Sequence, residues 1–157
     1  MAVCKSSNET KPYVSNNPIG EVYKGDSLIY KAESDLITLT SSVQQKEGSM
    51  RWADDVDYII TEDWETLTVI DSFWGKSYGE FQTILQLIDG STTTTLVSRH
   101  GGYSGYDDSV LKEPIVASGV TYPVKKGQTI RLKVGASYNK NVSQSFTTTS
   151  WITFKLT

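Results

Sequence analysis

Glu80-Phe-Gln-Thr-Ile-Leu-Gln-Leu-Ile-Asp-Gly-Ser-Thr-Thr-Thr-Thr-Leu-Val-Ser98 is the stretch that decides the fold class. Residues 80–88 and 91–98 are alternating runs, joined at Asp89-Gly90. Asp-Gly between two such runs is a strong hairpin signal, because glycine takes a positive φ at no steric cost and lets the turn match the twist of its strands. Toward the N-terminus, residues 66–74 alternate too. Leu67, Val69 and Phe73 fall on one face and Thr66, Thr68 and Ser72 on the other, which leaves Trp74 on the polar side. Residues 35–43 read as a further strand, followed by a polar turn region over 44–48. Residues 21–30 read as two short strands around Gly25-Asp26, with glycine placed for a type II′ turn. A short turn of helix is expected around 51–58.

Toward the C-terminus, residues 99–113 carry three glycines and no period. They are expected to form a long loop of the kind that often carries function. Residues 116–124 read as a strand and 125–128 as a turn. In residues 129–136, Ile130, Leu132, Val134 and Ala136 point one way while Arg131 and Lys133 point the other. The closing run, 145–157, turns Ile152, Phe154 and Leu156 inward and Trp151, Thr153 and Lys155 outward. Strands at intervals of about ten residues with turn chemistry between them imply an antiparallel sandwich or barrel. Residues 1–18 are polar, without period, and read as an extended arm or disordered tail. Residues 19–157 form a single β domain, in which the 19–32 hairpin is a candidate anchoring element of its own.

Composition agrees with this reading and removes several function classes. A chain of 157 residues can bury a core without staples. Four Trp, nine Tyr and many Thr, Ser and Val favour a pleated surface. The net charge of −3 is spread along the chain, with no basic cluster for a row of phosphates, so nucleic acid is not an expected partner. The longest apolar runs, such as 56–60, are far too short to cross a bilayer as a helix, and no membrane partner is expected. The polar first residues lack an apolar signal core, which points to a product of the cytoplasm or of a virus assembled there. Cys4 is the single cysteine, so no internal disulfide can form.

Catalytic constellations are poorly supported. Ser104, His100 and Asp107 would share one short loop with no scaffold, and Tyr106 stands where a G-x-S-x-G elbow needs its second glycine. One His and one Cys cannot build a structural zinc site. The acidic run Asp54, Asp55, Asp57, Glu62, Asp63 and Glu65 lacks the spacing of a calcium loop and reads as solvated turn carboxylates. No cofactor is expected. Two features stand out as contact surfaces. By alternation, Trp74 and Trp151 face outward, where an aromatic seeks a subunit or a sugar ring. Tyr103 and Tyr106 beside Asp107 and Asp108 can stack on a sugar and accept its hydroxyls.

Two segments resemble known proteins. Pro18-Ile-Gly-Glu-Val-Tyr-Lys-Gly-Asp-Ser-Leu-Ile-Tyr30 resembles a hairpin of tailed-bacteriophage structural proteins, of the form I-x-x-V-Y-K-G-[DS]-x-L-I-[YW]. Gly119-Val-Thr-Tyr-Pro-Val-Lys-Lys-Gly-Gln-Thr-Ile-Arg-Leu-Lys-Val134 resembles the jelly-roll head domains of phage fibres, which carry Y-x-V-x-K-G-[DQ]-x-[IV] before their last strands. Together these cover about a third of the chain; residues 44–115 match neither. The resemblance implies a virion component with a jelly-roll sandwich: a capsid decoration, head-fibre or tail-fibre protein. It would be a homo-oligomer, commonly a trimer, that meets capsid or tail proteins or host surface polysaccharide. Tyr13, Tyr23 and Tyr30 would then anchor the N-terminal part. A stand-alone carbohydrate-binding module is the alternative, and a hydrolase stands third.

Overall fold

The computed structural model describes residues 13–14, 17–18, 21–24, 27–31, 36–44, 49–74, 79–103, 113–137 and 147–157. They contain thirteen strands and no helix. Two short antiparallel pairs come first. β1 (Tyr13–Val14) lies beside β2 (Asn17–Pro18), and β3 (Glu21–Lys24) beside β4 (Ser27–Lys31). Lys24 stands opposite Ser27, and the turn expected at Gly25-Asp26 lies outside the described residues. Of the arm expected over residues 1–18, residues 13–14 and 17–18 pair as β1 and β2, and the others lie outside the described residues.

The remaining strands form an antiparallel β-sandwich. One sheet has the order β11 (Thr121–Pro123), β8 (Thr66–Phe73), β13 (Thr147–Leu156), β5 (Ile37–Gln44). The other runs β10 (Thr92–Tyr103), β9 (Gly79–Asp89), β12 (Thr129–Ser137), with β6 (Arg51–Trp52) and β7 (Val56–Ile59) both along the far side of β12. If β6 and β7 are taken as one interrupted strand, the pairing is nested. First pairs with last (β5 with β13), second with seventh (β6/β7 with β12), third with sixth (β8 with β11) and fourth with fifth (β9 with β10). The chain is therefore one long hairpin rolled up, with β13 also joined to β8 and β12 to β9. That is the jelly-roll order.

The decisive hairpin is present. Asp89 pairs with Thr92, and Gly90 holds φ +58°, a left-handed value that suits glycine. The core lies between the sheets and is built from the alternating residues of both. Leu67, Val69, Ile152, Phe154 and Leu156 come from one sheet, and Leu85, Ile130, Leu132, Val134 and Ala136 from the other, all fully buried. Each large apolar side chain so buried contributes roughly 1.5–3 kcal/mol before the entropic cost of ordering it. Tyr58 meets the Phe154 ring edge-on at 5.8 Å and closes one side of this core.

Three expectations need correction. The helical turn around 51–58 is instead two short strands, because Arg51, Trp52 and residues 56–59 pair with the edge of β12. Within the strand expected over 116–124, only Thr121–Pro123 pairs. Before it, Ile115 and Val116 bury their side chains and the chain turns at Ser118-Gly119. Third, residues 99–103 of the expected loop continue β10, with His100 opposite Gln82 and Tyr103 opposite Gly79. One of the glycines that suggested a loop serves packing: a Cβ on Gly101 would lie 3.0 Å from both the Phe81 and Trp74 rings.

Candidate functional site

The outer face of the β5-β13-β8-β11 sheet carries an aromatic pair. Along β13 the buried side chains are Thr148, Ser150, Ile152, Phe154 and Leu156, so the intervening Trp151 must face away from the core. It stands directly opposite Phe73 of β8, and the two rings stack at 6.1 Å between centroids and 25° between planes. The outward reading of Trp151 thus matches its position in the sheet.

Phe73 reaches this face through a β-bulge. Thr153 pairs with Asp71 and Phe154 with Val69, so Ile70 is an extra residue on β8. One added residue moves every later side chain to the opposite face. Beyond the bulge Ser72 is buried, Phe73 turns outward beside Trp151, and Trp74 turns inward. This reverses the alternation expected for residues 72–74 and corrects the outward assignment of Trp74. Its ring packs on Phe81 at 4.8 Å against the core, and its Nε1 finds no hydrogen-bond partner among the described residues. The sequence held a sign of the bulge: Ile70 and Asp71 have the wrong polarity for an unbroken alternation.

A groove of about 390 Å³ opens beside the pair, lined by Asp71, Ser72, Phe73, Glu113, Pro114, Ser118 and Trp151. Its far wall, residues 113–118, is held in place at several points. The Trp74 amide donates to the Glu113 carbonyl at 3.0 Å. Ser72 Oγ donates to the Val116 carbonyl at 2.8 Å, and the Val116 amide donates back to Ser72 Oγ at 3.2 Å. Arg99 Nε reaches the Ile115 carbonyl at 3.0 Å from β10, while Ile115 plugs the core beneath. Asp71 Oδ1 accepts the Ser72 amide at 2.8 Å and braces the bulge. The groove therefore has a fixed aromatic wall, a fixed polypeptide wall and two carboxylate residues. Along β13 and β5 the same face continues as hydroxyl pairs, Thr38 with Thr153 at 2.8 Å and Ser42 with Thr149 at 2.7 Å, on either side of Trp151.

The other expected contact residues fall elsewhere. The backbone of Tyr103 ends β10. Tyr106, Asp107 and Asp108, like Ser104, lie outside the described residues. The backbones of Tyr13, Tyr23 and Tyr30 lie in β1, β3 and β4, while their side chains fall outside what is described. His100 is exposed on β10 rather than in a loop.

Three of the acidic residues of the 54–65 run act in ion pairs: Asp55, Asp57 and Asp63, the last 3.8 Å from Lys126 Nζ. Arg131 donates two hydrogen bonds of 2.7 Å to Asp57, its Nη1 lies 3.0 Å from Asp55, and Lys133 Nζ lies 3.7 Å from Asp55. The hydrogen bonds from Arg131 hold the Asp57 carboxyl below its ordinary pKa. Among the described residues, no three His, Cys, Asp or Glu side chains are grouped to hold a metal ion.

No protein-family model matches the chain, and neither a curated protein nor a solved structure does.

Proposed function

We propose that the chain is a structural protein of a tailed-bacteriophage virion: a capsid decoration, head-fibre or tail-fibre component. Made in the host cytoplasm and built into the particle, it displays its jelly roll for assembly or for attachment to the host surface. The observation that carries the reading is the fixed aromatic groove on the outer face of a jelly roll. Jelly rolls serve as viral capsid and lectin domains, but a fold alone does not assign a function. A Trp–Phe pair held at the surface beside a walled groove is a feature that calls for a partner.

The two phage-like segments support the same direction in a limited way. In the second, the residues that carry the resemblance serve the fold. Val124 is buried, and Gln128 Oε1 accepts the Lys125 amide at 2.9 Å. Gly127 takes φ +87° and donates its amide to the Ile60 carbonyl at 2.8 Å. The segment carries the chain from β11 in one sheet to β12 in the other. Its likeness to phage head domains is thus a likeness of sheet-crossing devices, and the partner must be sought at the groove.

Sedimentation velocity on the full chain tests the reading. A homotrimer at micromolar concentration is expected. A monomer across the accessible range would overturn the assembled form and favour the second reading, a stand-alone carbohydrate-binding module. The specific observation behind that alternative is the stacked Trp151–Phe73 pair next to carboxylates.

A further inference from the structure

We infer that the Phe73–Trp151 groove is a saccharide subsite that takes a neutral or amine-bearing pyranose and rejects acidic sugars. The inference rests on reading this face as a contact surface, and it adds the ligand class.

The groove's volume, about 390 Å³, falls within the roughly 300–1,000 Å³ of small-molecule sites. Its two aromatic rings are within 25° of parallel and sit side by side on paired strands. Stacked on each other, they stand as an aromatic wall on one side of the ligand. A cage for an ammonium group would instead need rings on several sides. An aromatic wall suits a ligand with a C–H-rich face and polar edges, which describes a pyranose ring. Acceptors for those edges are at hand. Asp71 spends Oδ1 on the Ser72 amide and keeps Oδ2 for a ligand, and Glu113 lies on the opposite wall. The hydroxyl pairs Thr38–Thr153 and Ser42–Thr149 flank Trp151 along the strands and extend the polar surface past one ring, as an oligomer requires.

Charge sets the sugar class. Among the described residues, the lining holds two carboxylate residues and no lysine or arginine. A uronate or other acidic sugar would bring a third negative charge into the groove, with no cation among the described lining residues to meet it. Unpaired like charge of this kind is how a site excludes a competitor. A hydroxyl or ammonium group would be accepted.

The test is a titration of the full chain with three probes: a neutral β-glucan oligomer, a chitosan oligomer and an oligogalacturonate, followed by calorimetry. Saturable binding of the neutral and amine-bearing probes is expected, with oligogalacturonate at least about tenfold weaker. Trp151→Ala, shown to be folded by its melting curve, should weaken binding by about tenfold or more. Phe73→Ala gives the same reading should Trp151→Ala fail to fold. Asp71→Asn keeps an acceptor for the Ser72 amide and should narrow the gap between acidic and neutral probes. Equal binding of oligogalacturonate, unchanged binding in both ring variants, or no binding of any probe at millimolar concentration would overturn the inference. Loss on Tyr103→Ala with Trp151→Ala unaffected would place the sugar site elsewhere and overturn it too. None of these outcomes bears on whether the chain forms trimers, so failure here and failure of the virion reading remain distinguishable.

Discussion

Gly127 is held at φ +87°, and its amide ties the crossing turn to Ile60. A side chain at that φ costs about 1–2 kcal/mol, although no atom lies within 4 Å of where a Cβ would stand. Gly127→Ala is therefore expected to lower unfolding stability by about that amount through backbone strain alone, as read from urea melts. A second residue-scale device lies in the core. Thr83 of β9 and Ser150 of β13 face each other across the two sheets and share a hydrogen bond of 2.7 Å between their hydroxyls. Both residues are buried. A double-mutant cycle of Thr83→Val and Ser150→Ala should give a coupling energy of about 1 kcal/mol. A coupling near zero would mean that the pair contributes nothing specific. Phe154→Ala, at a fully buried site against Tyr58, should cost about 3–5 kcal/mol through the cavity it leaves.

At the scale of elements, β6 and β7 are short and lie along one side of β12, where Arg131 clasps Asp57 and Asp55. Because the folded Asp57 carboxyl titrates below its ordinary value, its contribution is present above the unfolded pKa of about 3.9 and is lost as pH falls through the depressed folded value. Melting temperature should therefore drop more steeply below about pH 4 in the wild type than in Asp57→Asn. The partly exposed setting keeps the effect modest and sensitive to salt. Much of the strand content was legible in the sequence, since β12 and the end of β13 bury the alternating residues that their polarity marks, and β9 turns into β10 at Asp89-Gly90. The end of β8 was not, because a single bulge at Ile70 changes the face of Phe73 and Trp74 without changing composition. The glycines of β10 misled for a related reason: Gly101 makes room for two rings, and nothing local distinguishes that from a loop. The groove combines residues 71–73, 113–118 and 151, which come together only through tertiary pairing. Of these, Trp151 was the residue that alternation could find.

At the scale of the molecule, the nested strand order brings β5 and β13 together across more than half of the chain. Each residue of those strands carries a polarity, but none carries the identity of its distant partner, so the order of strands could not be read locally. The same order places Phe73 and Trp151 side by side and sets residues 113–118 against the end of β8. It makes the groove a property of the whole roll. Non-local pairing also slows folding, and refolding from urea should take milliseconds to seconds, as for other all-β sandwiches. The outer face is proposed as the place where the chain meets its partner. Sedimentation velocity of the wild type and the Phe73→Ala, Trp151→Ala double variant tests it most directly, each run alone and with polysaccharide extracted from bacterial surfaces. The wild type is expected to sediment as a trimer or with the polysaccharide, and the folded double variant to lose at least one of these associations. A folded double variant that sediments identically to the wild type in both runs would contradict it.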